Sequence, residues 1–508
     1  MRRGRQSRRD NETAPVVAAG MPGGRYRPLS ESDEKQIHLT VLDVLENIGM
    51  ADPIPVVRER ALQRGCIIND AGRLCFPRAL VEDVIASAPK NVQLLGRDPR
   101  HDLEIGGLRV HTYGGGEAVN MLDIGASTYR PSTLADLYDA ARLTDRMANI
   151  HAFSRLVVAT EIGDQLSCDI NSAYVSAAGT SKHLQLTFAD AANVQPTLEM
   201  LYLIAGGKEK YEQRPFANGG GCPVISPLRY GRDNSEVCVE SIKMRAPIWI
   251  IVAPQAGATA PAALAGAVVQ SVAEALAGLL MIDVVEPGFP VVVGPWPFVS
   301  DLRSGSFSGG SGEEAVVSAA AAQMVNFYGL PSSVGAGMTD SKLPDYQAGY
   351  EKALAIALAV QSGCNNVSES SGMLGSLMAL SLESLVIDND LLGAALRTVR
   401  GIEVNEESLS YEVIKEVVRG EGHFLRNPQT LGLMRSGYVY PALADRSTAE
   451  SWQAEGSPDI RMRAGERVRS ILSAHYPEYI DAATDAKVRA AFPILLPREY
   501  MLAGNGRW

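Results

Sequence analysis

The side chains that could carry chemistry in this chain are acidic and aromatic residues that follow short apolar runs. The acidic members are Glu117, Asp340 and Glu369, the aromatic members are Tyr113, Trp296, Phe298 and Tyr346, and Lys342 accompanies them. Aromatic faces beside carboxylates suit a quaternary ammonium ion, because such a cation has no N–H to donate and is held by ring quadrupoles and Coulomb attraction. Taken singly, each residue more often packs beneath a loop or caps a helix, so the hypothesis requires that they converge.

The elements that must position these residues alternate between β-type runs and amphipathic helical stretches. The runs lie at 109–113, 151–160, 183–188, 216–221, 248–253, 289–294, 333–337 and 365–369. Helices are predicted after Thr133, which has a capping-box-like sequence, and at 192–206, 233–245, 261–283, 312–328, 346–362 and 378–399. Eight such units predict the α/β class and a (β/α)₈ TIM barrel, whose active site lies at the carboxyl ends of the strands.

A doubly wound open sheet is the alternative fold. It would carry a Gly-rich fingerprint after its first strand, and the glycines at 114–116 do not have the G-x-G-x-x-G spacing. The sequence therefore favours the barrel. The predicted division is a basic flexible arm at 1–25, an N-terminal cap region at 26–105, the barrel at 106–400 and a C-terminal helical extension packed on the barrel at 401–508.

Composition excludes several classes of protein. The chain has 508 residues, of which 46% are hydrophobic, so it can bury a large core. It has 47 basic and 58 acidic residues, and the formal net charge of −11 disfavours nucleic-acid binding. The apolar passage at 262–285 is interrupted by Gln270, Glu274 and Asp283, which argues against a membrane span.

Cysteine and histidine spacing gives no sign of a metal site. The six cysteines are scattered without a C-x-x-C motif, and the seven histidines form no H-E-x-x-H motif. We therefore predict neither a metal centre nor a disulfide framework, and we expect a protein of the reducing cytoplasm.

One longer motif points to a known family. The stretch at 335–351 contains Asp340-Ser-Lys342 and, further on, Gln347-Ala-Gly-Tyr350; the segments 421–424 and 446–452 add support. The chain resembles the trimethylamine:corrinoid methyltransferase family over most of its length. The resemblance implies a (β/α)₈ barrel that passes a methyl group from an amine to the cobalt of a separate corrinoid protein. It also implies that this chain binds no cofactor tightly, and it allows a homo-oligomer.

The chain differs from the founding members of that family in one respect. Those that use trimethylamine carry pyrrolysine, whereas every residue here is a standard amino acid. We place the equivalent position within 338–342 without assigning a single residue. The chain therefore resembles the branch that demethylates quaternary amines such as glycine betaine, carnitine or proline betaine.

With that branch as a guide, each candidate residue receives a role. Asp340, Lys342 and Glu369 form the candidate catalytic group. The candidate substrate-binding residues are Tyr113, Glu117, Trp296, Phe298, Arg303, Tyr346 and Gln347. The rings would form a wall around the cation, the carboxylates would balance its charge, and Lys342 or Arg303 would bind the carboxylate of a betaine. A quaternary amine leaves as a neutral amine, so Co(I) can attack its methyl group without a protein nucleophile.

Two other functions remain open from the residues alone. A barrel hydrolase or lyase could use Glu117 and Glu369 as paired carboxylates. A noncatalytic betaine-binding protein would bind the ligand without transferring a methyl group. A methyl-transfer assay separates these alternatives from the methyltransferase.

Overall fold

The fold was analysed on a computed structural model that describes residues 16–508. The helices of this part of the chain are α1 (Glu31–Asp43), α2 (Pro55–Gln63), α3 (Arg78–Ser87), α4 (Leu134–Asp145), α5 (Gln165–Gly179), α6 (Val194–Ala205), α7 (Lys208–Gln213), α8 (Arg232–Glu240), α9 (Leu264–Val285), α10 (Gly312–Phe327), α11 (Tyr346–Gln361), α12 (Leu382–Arg400), α13 (Tyr411–Arg419), α14 (Pro428–Ser436), α15 (Ala449–Ala454), α16 (Ile460–Ala474) and α17 (Ala482–Ala491). The strands are β1 (Met21–Pro22), β2 (Ile67–Ile68), β3 (Leu74–Cys75), β4 (Asn91–Leu94), β5 (Leu103–Gly106), β6 (Arg109–Thr112), β7 (Asn120–Leu122), β8 (Tyr129–Pro131), β9 (Phe153–Ser154), β10 (Leu184–Gln185), β11 (Ala217–Asn218), β12 (Gly220–Gly221), β13 (Val224–Ile225), β14 (Arg229–Tyr230), β15 (Ile248–Val252), β16 (Gln255–Ala256), β17 (Val291–Pro295), β18 (Phe298–Val299), β19 (Ser333–Gly335), β20 (Asn366–Ser368), β21 (Met373–Leu374) and β22 (Ala379–Ser381).

Parallel pairing connects the eight predicted runs in chain order. The pairs are β9 with β10, β10 with β11, β12 with β15, β15 with β17, β19 with β20, and β20 with β6. Single parallel bridges join Tyr113 to Ala152 and Val293 to Ser332. Helices alternate with these strands along the chain, so the predicted α/β class is confirmed.

Several of the strands are shorter than the apolar runs that predicted them. The run at 151–160 yields only β9, and the run at 216–221 is divided into β11 and β12. The residues beyond each short strand belong to loops at its carboxyl end. These loops therefore begin earlier in the sequence than the hydrophobic pattern indicates.

The helices between the strands begin at the capping residues that the sequence offers. At the start of α4 the Thr133 side chain accepts a hydrogen bond from the Asp136 N–H, and the Asp136 carboxylate accepts one from the Thr133 N–H. The predicted capping box is thus confirmed. Ser311 and Asp345 cap α10 and α11 in the same way, through Glu314 N and Ala348 N.

Helix α5 is the element that the hydrophobic pattern did not predict. Every residue from Asp169 to Gly179 is buried, and most of these residues are small or polar. A helix that is buried on nearly all sides shows no apolar stripe, and the stripe is the signal on which such predictions depend.

Helix α9 occupies the middle of one of the two large hydrophobic cores. It packs with Val41 of α1, with Leu45 of the turn that follows α1, and with strand residues such as Ile250. It is long and apolar enough to cross a membrane by length and composition, but 83% of its most apolar window is buried inside the protein. This is the pattern of a core helix.

The first described residues and the C-terminal helices both pack against the central part of the chain. Residues 1–15 of the predicted arm lie outside the described residues, while Met21–Pro22 pair antiparallel with Arg109 and Val110 of β6. In the C-terminal part, α16 contributes Val468 and Leu472 to the same core as Leu396 of α12. The division at 25, 105 and 400 stays a prediction.

Candidate active site

The candidate site is a cavity of about 390 Å³ at the carboxyl ends of the parallel strands. Its wall comes from loops that follow β6, β9, β10, β12, β15, β17 and β20, together with Leu377. The lining residues are Gly115, Gly116, Glu117, Ser154, Arg155, Gln185, Thr187, Phe188, Ala189, Gly220, Gly221, Cys222, Asn234, Ile251, Ala253, Trp296, Phe298, Ser368, Glu369 and Leu377. A largely apolar cavity of this size with a few converging polar groups is typical of a small-molecule site.

Glu369, the first residue after β20, supplies an unpaired carboxyl group to this cavity. The residue is 6% exposed, and its Oε2 has no hydrogen-bond partner. Burial, with a smaller contribution from the nearby Glu117 charge, raises the pKa of Glu369 to about 8. Its backbone lies in the left-handed region with φ of 57°, which costs free energy for any residue other than glycine.

Two glycines make room for this carboxyl group. A Cβ at Gly115 would lie 2.8 Å from Glu369 Oε1, and a Cβ at Gly116 would lie 2.7 Å from Glu369 Oε2. Both glycines also have positive φ. The glycines noted in the sequence at 114–116 therefore act through their lack of side chains, which lets Glu369 pack against the β6 loop.

The second carboxylate, Glu117, is paired. Its Oε2 accepts a hydrogen bond from Arg155 Nη2 at 2.6 Å, and its Oε1 accepts one from the Thr187 hydroxyl. The backbone supports the pair, because Glu117 N donates to Arg155 O at 3.3 Å. Glu117 also has a positive φ of 45°. The cavity thus contains one compensated carboxylate and one uncompensated carboxyl group.

The aromatic part of the wall follows β17. Trp296 is 6% exposed and donates from Nε1 to the Ser333 hydroxyl at 3.3 Å, and its ring lies 6.4 Å from the Phe298 ring. A Cβ at Gly335 would come within 2.9 Å of the Trp296 ring, so this glycine sets the ring's position. Phe188 contributes a third ring. Rings and carboxyl groups therefore share one cavity, as a cation site requires.

Four of the predicted site residues thus line the cavity, namely Glu117, Trp296, Phe298 and Glu369. Tyr113 does not line it. Its side chain is fully buried, its ring packs edge-on against Trp249 at 5.4 Å, and burial raises the pKa of its phenol well above the usual value.

The predicted residues of the 335–351 motif also lie outside the lining. Asp340 Oδ2 accepts from the Ser308 hydroxyl at 2.9 Å and its Oδ1 accepts from Gly309 N at 3.1 Å, so this carboxylate joins two loops. Lys342 is exposed and donates to the Asp340 carbonyl at 2.6 Å. Tyr346 is 88% exposed at the start of α11.

Gln347 and Arg303 are likewise engaged elsewhere. The Gln347 amide donates to Glu351 Oε1 at 2.8 Å, one turn further along α11. The Arg303 guanidinium donates to the Asp301 carboxylate at 2.9 and 3.0 Å, and its side chain is 91% exposed. The 335–351 motif therefore organises loops beside the cavity, and the roles predicted for its residues in binding stay predictions.

The polar lining residues that sequence reasoning missed include Arg155, Thr187 and Cys222. Arg155 and Thr187 stood inside runs predicted as strands, so they were not counted as residues at strand ends. An arginine within an otherwise apolar run was the available signal, because a charged residue in a buried strand needs a partner. Cys222 directly follows a predicted run and could have been included by the rule that selected Glu369.

Among residues 16–508 no group of three or more His, Cys, Asp or Glu side chains is placed to hold a metal ion. What the cavity offers is a buried carboxyl group, aromatic faces and one guanidinium. This set can bind and orient a cationic or dipolar molecule and exclude water from it.

A family profile and the sequence relatives agree on one family. The profile described as Trimethylamine methyltransferase (MTTB) matches residues 1–493. The chain is 32% identical over 478 residues to the trimethylamine methyltransferase of Desulfitobacterium hafniense, covering 94% of each chain. It is 30% identical over 471 residues to a glycine betaine methyltransferase of Desulfitobacterium hafniense, covering 92% of this chain and 96% of that one.

Among solved structures, the monomethylamine methyltransferase of Methanosarcina barkeri covers 87% of this chain and 93% of its own at 14% identity, with a TM-score of 0.46. That similarity is too distant to support a functional argument. The two sequence relatives are named as methyltransferases, and their alignments with this chain cover nearly the whole of each protein. The family profile also spans almost the entire chain. This protein is therefore a methyltransferase and belongs to the trimethylamine methyltransferase family.

Proposed function

We propose that this enzyme transfers a methyl group from a quaternary methylamine to the Co(I) of a separate corrinoid protein. The observation that carries the proposal is the unpaired carboxyl group of Glu369 beside Trp296 and Phe298 in one cavity. A permanent cation placed there would favour the ionised form of Glu369, which then balances its charge, and it would also contact aromatic faces.

We further propose that the eight parallel runs close into a (β/α)₈ barrel. Their pairing proceeds in chain order, and the last strand, β20, pairs with the first, β6. Residues from seven of the eight strand ends converge on the cavity. Convergence at the carboxyl ends is the usual place for a site in such a barrel.

The transfer step needs little covalent help from the protein. The C–N bond breaks, its electron pair stays on nitrogen, the neutral tertiary amine leaves, and the methyl group bonds to cobalt, which supplies two electrons. The chain's own residues then have three tasks: Glu369 balances the charge of the cation, the rings of Trp296 and Phe298 fix its position, and the apolar wall excludes water.

The substrate is proposed to be quaternary for two reasons. One relative is named for trimethylamine and another for glycine betaine, so the family includes both kinds of methyl donor. A tertiary amine must first acquire a fourth substituent or a proton before it becomes a good leaving group. A quaternary amine is already charged, and a carboxylate with aromatic neighbours is sufficient to hold it.

The predicted alternative of a hydrolase with paired carboxylates receives less support. Glu117 is engaged by Arg155 and Thr187, so it is not a free base opposite Glu369. A noncatalytic binding protein is less compatible with relatives that are methyltransferases. We place the enzyme in the cytoplasm, with a corrinoid protein as its partner.

The experiment is a methyl-transfer assay with the purified full-length chain. Glycine betaine, carnitine, proline betaine, choline and trimethylamine are each incubated with reduced cobalamin, and methylcobalamin formation is followed by its absorbance. We expect methylation from at least one quaternary amine and none from trimethylamine. Absence of cobalt methylation from every quaternary donor, with free cobalamin and with a corrinoid protein of a related organism, would refute the proposal.

A further inference from the structure

The inference concerns Arg155, which the proposed function does not use. Arg155 is the first residue after β9, and its side chain is 13% exposed in the cavity wall. A guanidinium carries five N–H donors. Only one side-chain hydrogen bond is formed, from Nη2 to Glu117 Oε2 at 2.6 Å. Its Nη1 is 3.8 Å from Asp169 Oδ1, beyond hydrogen-bond range, and its Nε has no partner.

Another buried arginine of the same chain shows what a structural role looks like. Arg142 is fully buried, and its donors bind Asp139 Oδ1 at 2.9 Å and the backbone carbonyls of Leu472 and His475 at 2.5 to 2.8 Å. Every nitrogen of that guanidinium donates at least one hydrogen bond. Buried donors are normally satisfied in this way, whereas the buried Nε of Arg155 has no partner among the described residues and its guanidinium lies in the cavity wall.

The neighbours of Arg155 hold it in place without using its remaining donors. Glu117 binds one edge of the guanidinium. Asp169 Oδ2 accepts hydrogen bonds from Ala189 N and from the Asn193 amide, at 2.9 and 2.8 Å. Burial disfavours the charge of Arg155, but Glu117 and Asp169 outweigh that effect and raise its pKa. Arg155 is therefore a fixed cation in the same cavity as the unpaired Glu369.

We propose that Arg155 binds the carboxylate of a zwitterionic substrate, while Glu369 and the rings hold its quaternary ammonium end. The inference rests on the proposed function and narrows it to betaines, which carry both charges. It also reassigns the carboxylate-binding role, because Lys342 and Arg303 do not line the cavity. Arg155 becomes the residue that distinguishes a betaine from a quaternary amine without an acid group.

The first test compares two ligands on the wild-type chain by calorimetry at one pH and ionic strength. Glycine betaine and choline share a trimethylammonium group, but choline has a hydroxyl group in place of the carboxylate. We expect glycine betaine to bind about tenfold or more tightly than choline, since a hydrogen bond to a charged group is worth that much. Equal dissociation constants would overturn the inference while leaving the proposed function intact. Binding of neither ligand would overturn the inference for glycine betaine, and the methyl-transfer assay with all the quaternary donors would then decide the proposed function separately.

The second test removes the guanidinium. Arg155→Gln should raise the dissociation constant of glycine betaine by about tenfold or more and leave that of choline within about threefold. An equal loss for both ligands would show that Arg155 only supports the cavity, and it would overturn the inference. Arg461→Gln is the matched control, because Arg461 is also partly buried and pairs with a carboxylate, Glu383, at 3.0 Å outside the cavity.

A third variant covers the case in which Arg155→Gln does not fold. Arg155→Lys keeps the positive charge near Glu117 but loses the planar array of donors. It should reduce the preference for glycine betaine over choline. An unchanged preference in this variant would overturn the role of Arg155.

Discussion

Two buried cations at opposite ends of neighbouring strands behave differently. Lys182 precedes β10, and its ammonium group donates to the carbonyls of Thr144, Met147 and Ile150 at 2.5 to 2.7 Å. Arg155 follows β9, and most of its donors have no partner. At the amino end the ammonium group of Lys182 binds three backbone carbonyls. At the carboxyl end the guanidinium of Arg155 keeps hydrogen-bond donors that a ligand could bind. The same contrast separates the bonded Asp388, which accepts from Lys352 at 2.7 Å, from the unpaired Glu369.

Whether a buried charged group has a hydrogen-bond partner is a better guide to the functional site than burial alone. Of these four charged groups, Lys182 and Asp388 have their hydrogen-bond partners within the fold, whereas Arg155 and Glu369, which line the cavity, each keep an atom without a partner. Buried polar groups without partners cost free energy, and such a cost persists where a ligand supplies what is missing. Changes at the cavity should therefore affect activity more than stability, and changes at the amino end should do the reverse.

The largest effect is expected from Glu369→Gln. The substitution keeps the shape of the side chain but removes its charge, so we expect kcat/KM for the quaternary amine to fall by about 100-fold or more. The thermal midpoint should not fall, because a neutral amide replaces a group whose ionised form burial disfavours. Steady-state kinetics measures the fall in kcat/KM, and calorimetry measures the thermal midpoint. A fall in the midpoint of several degrees would place Glu369 among the structural groups and remove the contrast.

The reverse effect is expected from Lys182→Met. Three backbone carbonyls would lose their donor, and we expect the free energy of unfolding to fall by about 3 kcal/mol. Denaturant unfolding measures this loss, and the folded fraction should keep the wild-type KM. A changed KM with unchanged stability would contradict the assignment of Lys182 to the fold.

An effect of about tenfold is expected from pH. In the free enzyme the pKa of Glu369 is raised to about 8 by burial and by Glu117, so the group is mostly protonated at neutral pH. A permanent cation prefers the ionised form, so its affinity should rise by about tenfold from pH 7 to pH 9 and then level off. Choline is a suitable probe, because its own charge does not titrate. Calorimetry with wild-type protein and Glu369→Gln checks this, and the variant should show no such rise.

The smallest effect is expected from Gly335→Ala. The added Cβ would lie 2.9 Å from the Trp296 ring and displace it, so we expect the affinity for the cation to fall by about threefold. Gly349→Ala is the control, since a Cβ there meets no atom within 4 Å. Equal affinities for the two variants would indicate that the position of the Trp296 ring does not matter for binding.

The sequence predicted the elements better than it predicted where they end. Apolar periodicity located the parallel runs, and capping chemistry located the start of α4 at Thr133. Strand ends were less visible, because the residues after β9 remain apolar and partly buried within the loops. Arg155 was therefore placed inside the predicted run at 151–160 and was not recognised as a residue at a strand end.

The site was predictable where a residue lies at the end of a predicted run or shortly after it. Glu369 is the last residue of the run at 365–369, and Trp296 lies two residues after the run at 289–294. Asp340 and Lys342 stand in a motif that is fairly specific to the family, yet their side chains bind loop groups, because the chain turns away from the cavity after β19. Family-specific spacing does not by itself distinguish residues that shape a loop from residues that contact a ligand.

The left-handed backbone at Glu117 and Glu369 has a consequence for any laboratory evolution of this enzyme. Glycine or asparagine would occupy those two positions with less strain, by roughly 1 kcal/mol each. A library screened only for heat tolerance would therefore tend to enrich such replacements. The most heat-tolerant variants would then be those that had lost the carboxyl groups of Glu117 and Glu369, so the screen must measure methyl transfer from the first round.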